Sequence, residues 1–259
     1  NINDLESSSK KQHFLSRLEV VYGQHWQEDI WKLGKGKWDN MVKWYGEYQN
    51  DEWLNSIDRF LYDRSKNNTP KDVREKGNAW IDDNLPESAK FVGYADILTS
   101  LNVLYRLGFD DRVPEAEEIR QWLKDNWRDI WNYIIDNPEI LLYIPVHTTN
   151  ILYYAKTLNI ITLDEADTEE RKFFKIISDL YKGKLDDPTF FHNWLYILTH
   201  ILIGESWFYT HLIPNYKLNY KWIVDYLNDN HDRIMKLNND AIAEIGVVYY
   251  LCCEMDWVD

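Results

Sequence analysis

Glycine and proline are scarce in this sequence of 259 residues, which contains 10 glycines and 7 prolines. A β-sandwich or β-barrel needs many tight turns, and those turns depend on the backbone geometry that glycine and proline supply. Hydrophobic residues make up 45% of the chain, which is enough to bury a substantial core. The composition therefore predicts a folded and mainly helical protein.

Positive charge is also in short supply. The chain has 29 lysines and arginines against 43 aspartates and glutamates, and its formal net charge is −14. Nucleic-acid binding rests on basic residues that replace the counterions of the phosphate backbone, so nucleic acid is not an expected partner. The same charge opposes an anionic membrane surface, and the sequence has no run of 18 apolar residues. Membrane insertion is not expected either.

Motifs for metals, nucleotides and nucleophiles are missing as well. The sequence has no HExxH or paired-cysteine spacing for zinc, no GxGxxG, no P-loop and no GxSxG elbow. Asp82 and Asp83 come nearest to the aspartate cluster of a magnesium–diphosphate site, but no second acidic motif accompanies them. Cys252 and Cys253 are adjacent, where an ordinary disulfide is strained. We therefore expect no metal, no cofactor and no disulfide framework.

Apolar residues recur at helical spacing from about Gln12 onwards. Residues 1–12 are polar and predict a tail, and residues 13–259 predict a single domain. Residues 14–22 and 53–61 predict amphipathic helices, whereas residues 33–48 contain three glycines and predict a loop with a short helix. Four later stretches are apolar around most of their circumference, which is typical of buried helices. They are residues 90–109, 139–158, 190–209 and 239–253.

Amphipathic stretches with charged faces alternate with these four, over residues 114–134, 163–181 and 218–237. Thr162 and Glu165 have the spacing of a capping box at the start of one of them. Such alternation predicts inner and outer helices in a repeated hairpin, and repeated hairpins must stack to bury their inner faces. We predict an all-α fold that closes into an α/α toroid, with an open α-solenoid as the alternative.

The repeat can be aligned on two short segments. Asp-Asn-Pro at 136–138 and Asp-Asp-Pro at 186–188 both precede an inner helix and stand about fifty residues apart. This alignment predicts that Asn150 lies beside His200, and Asn102 extends the series because it stands at a similar interval before Asn150.

Isolated polar residues on the predicted inner helices are the candidates for a site in a shared central cavity. Asp240 and Glu244 are four residues apart, and differing surroundings could make them the acid and the base for hydrolysis of a glycosidic bond. Helix capping and a packed ion pair explain them equally well. His147 and His200 could transfer protons, or could be structural core histidines.

His192, Tyr196 and His200 form one stripe along a helix, and the outer two stand too far apart to chelate one metal ion. The predicted site has four catalytic and five ligand-binding candidates. The catalytic candidates are Glu244, Asp240, His200 and His147, and the ligand-binding candidates are Asp96, Asn150, Tyr196, His192 and Tyr94.

Three inner-helix segments carry a family resemblance. HTTN at 147–150, LTHIL at 198–202 and NDAIAEIG at 239–246 resemble an uncharacterised family of secreted proteobacterial proteins with an α/α-toroid fold. The resemblance covers the chain from about Lys90 onwards. It implies a periplasmic or secreted location and a shape similar to that of helical-barrel glycoside hydrolases, which are usually longer. The family has no established activity, so the resemblance does not decide whether this chain is an enzyme.

The leading hypothesis is a periplasmic or secreted toroid that binds a saccharide or similar small ligand in its centre, where hydrolysis is one reaction the carboxylates could carry out. A second hypothesis is a non-catalytic scaffold that engages a protein partner or a host surface. An enzyme similar to terpenoid cyclases is a distant third.

Overall fold

The computed structural model of the chain describes residues 27–49, 85–237 and 239–253, and every regular element in these ranges is helical. The predicted all-α class is therefore confirmed. A short 3₁₀-helix (Asp110–Arg112) precedes α3. The helices are α1 (Gln27–Gln49), α2 (Leu85–Leu107), α3 (Ala116–Ile135), α4 (Pro138–Tyr143), α5 (Pro145–Thr157), α6 (Leu163–Tyr181), α7 (Pro188–Glu205), α8 (Tyr216–Asn219), α9 (Lys221–Asp229), α10 (His231–Ile234) and α11 (Asn239–Leu251).

Several predictions lie outside the described residues. They are the polar tail of residues 1–12, the helices over 14–22 and 53–61, and the Asp82-Asp83 pair. None of the helices in the described ranges is both long and apolar enough to cross a membrane.

Five helices pack side by side in an inner row, in the order α1, α2, α5, α7 and α11. The outer helices α3, α6 and α9 follow α2, α5 and α7 along the chain, so inner and outer helices alternate as the sequence predicts. Among the described residues, α1 and α11 share no contact as extensive as those between neighbours in the row. Closure of the row into a toroid therefore stays a prediction.

Aromatic side chains join the two layers. Trp194 of α7 has its ring centroid 5.9 Å from that of Phe174 and 5.6 Å from that of Tyr181, both on α6. Its ring also lies 6.4 Å from Tyr226 on α9. Ring pairs at these separations stabilise a core beyond the area they bury. The side of α7 that carries Trp194 therefore faces the outer helices.

The loop predicted over residues 33–48 is wrong, because α1 runs through it without a break. The ring of Trp38 lies against Gly34, and a Cβ at Gly34 would come within 2.2 Å of the ring atom Cζ2. Glycine at this position leaves room for the buried tryptophan, and the burial of Trp38 and Met41 stabilises the helix despite its low intrinsic propensity.

Two stretches predicted as single helices are interrupted. Residues 139–158 form α4 and α5, which are separated at Ile144 because Pro145 has no backbone N–H and occupies the first position of α5. Residues 218–237 are divided among α8, α9 and α10. The helix predicted over 190–209 ends at Glu205, and Trp207, Phe208 and Tyr209 then take positive φ angles of 53°, 53° and 74°.

The predicted capping box is confirmed at the start of α6. The backbone N–H of Glu165 donates to Oγ1 of Thr162 at 3.3 Å, and the N–H of Thr162 donates to Oε2 of Glu165 at 2.9 Å. At the start of α7, Oδ1 of Asp187 accepts a hydrogen bond from the N–H of Thr189 at 2.8 Å. These contacts satisfy N–H groups that have no partner within the helix.

A group of charged side chains lies between the layers. Lys156 of α5 forms an ion pair with Glu205 of α7, and both side chains are largely buried. Glu170 of α6 accepts a hydrogen bond from the Tyr220 hydroxyl at 3.3 Å. Burial, reinforced by the charge of Glu205, raises the pKa of Glu170 to about 7 although Lys156 opposes the rise. Glu170 therefore exchanges its proton near neutral pH in the folded protein.

The substitution Glu170→Gln should make stability less dependent on pH. The pKa of Glu170 rises on folding, so the folded state holds its proton from pH 4.5 to about 7 whereas the unfolded state does not. Stability should therefore fall as pH rises through this range, by up to roughly 3 kcal/mol, and the amide should abolish this loss. Urea unfolding at pH 5 and pH 8 measures the effect.

Asp167→Asn is the matched control, because Asp167 is an exposed carboxylate on the same helix. It should leave the difference between the two pH values unchanged. Equal pH dependence in Glu170→Gln and wild type would contradict the assignment.

Gly204→Ala should destabilise the protein. A Cβ at Gly204 would come within 2.2 Å of Cγ of Tyr153, a side chain that is fully buried and cannot move aside cheaply. Overpacking of this kind costs about 1–3 kcal/mol, which outweighs the gain in helix propensity. Gly36→Ala on α1 meets no atom within 4 Å and should instead stabilise the fold by up to about 1 kcal/mol. Thermal unfolding of both variants tests the pair, and equal effects would refute this packing argument.

Candidate functional site

The inner row has one face towards the outer helices and another that water partly reaches. On α7, Trp194 contacts the outer layer, and Tyr196 lies two residues further on, so its side chain projects from nearly the opposite side. We call this side the open face. Half-buried or exposed residues recur on it at helical spacing. They include Asp96 and Thr99 on α2, His147 and Asn150 on α5, Tyr196 and His200 on α7, and Asp240 and Glu244 on α11.

Polar side chains from three inner helices meet on the open face. Oδ1 of Asn150 lies 2.7 Å from Nδ1 of His200, so the sequence alignment that placed these residues side by side is confirmed. The Tyr196 hydroxyl donates to Oδ2 of Asp240 at 2.7 Å. The Thr199 hydroxyl donates to Oε1 of Glu244. We call the group formed by Asn150, Tyr196, Thr199, His200, Asp240 and Glu244 the polar cluster.

His200 and Glu244 form the centre of the polar cluster. Nε2 of His200 lies 3.5 Å from Oε1 of Glu244, and their side chains are 15% and 14% exposed. Each is sheltered enough for its neighbours to control its hydrogen bonds and still open enough to touch a ligand. A histidine and a carboxylate in such contact can exchange a proton, which is the basis of general acid–base catalysis.

Tyr196 joins the histidine to the second carboxylate. Its ring centroid lies 6.2 Å from that of His200 and 4.6 Å from that of His192. Burial raises the pKa of Tyr196 far above its usual range, and the hydrogen bond to Asp240 and the charges of Glu244 and Asp240 add to the rise. Tyr196 is therefore a neutral donor that holds Asp240 in place.

His147 lies beside the polar cluster. Its side chain is exposed, and yet desolvation by the surrounding protein, together with the charge of His200, lowers its pKa to about 4. His147 is thus a neutral imidazole at pH 7 and can both donate and accept hydrogen bonds.

The other predicted site residues lie outside the polar cluster. Asp96 is on the open face of α2, where its charge acts on Lys37 of α1. Burial lowers the pKa of Lys37, and Asp96 opposes that change. His192 is buried against the ring of Tyr196.

Tyr94 lies between the two layers and away from the open face. Its ring stacks on Trp122 of α3 with centroids 6.4 Å apart, and its edge faces Tyr133 at 6.3 Å. A role for Tyr94 in direct ligand contact has no support in this position. Asn102 also departs from the predicted series, since its amide donates to Oγ1 of Thr157 at 2.6 Å and lies level with that residue of α5.

Two residues that interact with predicted site residues were left out of the predicted site: Thr199, which contacts Glu244, and Lys37, which interacts with Asp96. Thr199 stands inside an apolar run, and its only signal is its place immediately before His200. Lys37 lies in the stretch predicted as a loop, so its position in a helix of the inner row was hidden.

The described residues hold no group of three or more His, Cys, Asp or Glu side chains that could bind a metal ion. Two recesses on their surface are lined by other residues. One lies at the junction of α3 and α4 beside Pro138, and the other lies between Tyr45 of α1 and Trp122 of α3. Neither includes a member of the polar cluster.

Comparison with known proteins gives a family but no activity. The model of the family described as domain of unknown function DUF3541 matches residues 58–257, a range that includes α2 to α11 and the whole polar cluster. No curated protein and no solved structure matches the chain. Because the match covers most of the sequence, the chain belongs to the DUF3541 domain family.

Proposed function

We propose that the polar cluster binds a saccharide or a chemically similar polyol on the open face. The single observation that carries the proposal is the meeting of Asn150, His200 and Glu244, which come from three different helices. A sugar presents several hydroxyl groups at fixed angles, and each hydroxyl both donates and accepts hydrogen bonds. Amide, imidazole, hydroxyl and carboxylate groups held in one place suit such a ligand.

The carboxylates and the aromatic ring of the polar cluster limit the kinds of ligand that it can bind. Asp240 and Glu244 contribute two carboxylates, which repel an anionic ligand such as a phosphate ester. Tyr196 offers a ring next to these polar groups, and aromatic faces pack well on the apolar faces of sugar rings. His147 extends the site as a neutral imidazole. A neutral sugar satisfies these conditions better than an anion.

Hydrolysis of a glycosidic bond is the reaction that we propose for the site. Glu244 is sheltered and contacts Thr199 and His200, whereas Asp240 is exposed and accepts a hydrogen bond from Tyr196. Two carboxylates in different surroundings suit the separate roles of acid and base. Because the resemblance of the inner helices is to secreted proteins, we further propose a periplasmic or secreted location.

Glu244→Gln and His200→Ala should each weaken saccharide binding at least tenfold. Each substitution removes a group at the centre of the polar cluster, and a tenfold loss corresponds to about 1.4 kcal/mol. A broad glycan array identifies the sugar that wild type binds, and calorimetry with that sugar measures the change. Thermal unfolding of each variant shows whether the fold survives.

Asp179→Asn on α6 is the matched control, since Asp179 is an exposed carboxylate on an outer helix. It should bind the sugar as wild type does. Unchanged binding in both cluster variants, or no sugar bound by folded wild type, would remove the saccharide site.

Asp240→Asn should separate binding from turnover. If the two carboxylates act as acid and base, loss of one should lower the rate of hydrolysis by about 10²–10⁴. The amide keeps the acceptor oxygen for Tyr196, so binding should change much less than the rate. Chromatography of the products formed from the bound glycan measures the rate. Equal losses of binding and of rate would assign Asp240 to ligand contact alone.

A scaffold that binds a protein partner is the second candidate, and it is favoured by exposed apolar side chains near the end of α7. Trp207 is 44% exposed, Leu212 49% and Leu218 81%. Scattered apolar residues are common on protein surfaces, but several within one short segment favour an interaction surface. This candidate gains weight if the glycan array shows no binding.

A further inference from the structure

The hydrogen bonds of His200 distinguish its two ring nitrogens. Nδ1 lies 2.7 Å from Oδ1 of Asn150, and an amide oxygen can only accept a hydrogen bond. Nδ1 must therefore carry a proton in this arrangement, whether the ring is neutral or charged. Nε2 is then the nitrogen that gains and loses a proton, and it faces Oε1 of Glu244.

We propose that Asn150 is a positioning residue that fixes His200 as the Nδ1–H tautomer, so that the site exchanges its protons between Nε2 and Oε1 of Glu244. This inference rests on the proposed function and deepens it, because it names the atoms of proton exchange. It also changes the role of Asn150, which the sequence analysis placed among the ligand-binding residues.

The proton balance of the pair is simple. A neutral imidazole beside a protonated Glu244 and an imidazolium beside an ionised Glu244 differ only in the position of one proton between Nε2 and Oε1. Their total charge is the same, so transfer within the pair needs no other proton donor. The tautomer of a histidine is set by the partner of its other nitrogen, and Asn150 is that partner here.

Two further contacts hold the imidazole of His200 and the carboxylate of Glu244 in position. The Tyr196 ring is inclined by only 28° to the His200 ring and limits its rotation. The Thr199 hydroxyl donates to Oε1 of Glu244 and so ties the carboxylate to α7. The charge of a protonated His200 also acts on His147, which is neutral at pH 7. The contacts of Tyr196 and Thr199 orient the imidazole and the carboxylate, while Asn150 is the acceptor that holds a proton on Nδ1.

Nuclear magnetic resonance of protein labelled with ¹⁵N-histidine tests the proposal. Long-range proton–nitrogen correlation separates protonated from unprotonated ring nitrogens, and the spectrum of His200→Gln identifies the His200 signals among those of the 7 histidines. At a pH where the ring is neutral, wild type should show a proton on Nδ1 and none on Nε2. Imidazoles free in water favour the opposite tautomer, so this result is specific.

Substitutions of Asn150 provide the second part of the test. Asn150→Ala removes the acceptor and should shift His200 to mainly Nε2–H. Asn150→Asp keeps an acceptor oxygen in the same place and should restore Nδ1–H. Asn132→Ala, at an exposed asparagine on α3, should leave the His200 signals as in wild type.

A neutral His200 that carries its proton on Nε2 in wild type would overturn the proposal. So would an Asn150→Ala protein with an unchanged tautomer. If Asn150→Ala does not fold, the wild-type spectrum decides the question by itself. These measurements need no ligand, so they separate a failure of this inference from a failure of saccharide binding.

Discussion

The structure depends on a constraint that the inner helices impose. Four of these helices, α2, α5, α7 and α11, are apolar around most of their circumference, so they must be covered by neighbours in the row and by the outer layer. Any polar side chain on them then faces other protein groups or the open face. An unsatisfied buried polar group costs about 1–3 kcal/mol, so such side chains are stable only where they find a hydrogen-bond partner or reach water. In the polar cluster, side chains of neighbouring helices are these partners for each other.

Two features of the fold show what sequence patterns could predict. The repeat of about fifty residues placed Asn150 beside His200, and this held even though Pro145 divides the first stretch into α4 and α5 whereas the second forms the single helix α7. The loop predicted in α1 was wrong, since the effect of Gly34 depends on Trp38, whose burial outweighs the poor helix propensity of glycine. Periodicity is a local property, whereas this compensation comes from tertiary packing.

Sequence patterns likewise predicted the candidate site only in part. Helical spacing limits which residues share a face, and Tyr94 and Asp96 are two positions apart and so project from nearly opposite sides of α2. Only one of them can reach the open face. The sequence does not show which side of α2 the outer helix covers. The packing of Trp122 against Tyr94 shows that the outer helix covers the side of α2 that carries Tyr94. Thr199 escaped prediction because its partner Glu244 lies on another helix, 45 residues away.

Two groups of charged residues link neighbouring helices, and they differ in their access to solvent. The first group lies between the layers and consists of Lys156, Glu205 and Glu170. Lys156 forms an ion pair with Glu205, and the Tyr220 hydroxyl donates a hydrogen bond to Glu170. His200 of α7 and Glu244 of α11 lie on the open face, where these two helices hold the proposed proton-exchanging pair within reach of solvent. The first group links α5 to α7, which are the helices that carry Asn150 and His200. A site built across several helices needs such links, since an acid–base pair works only when its atoms stay within hydrogen-bonding reach of a ligand.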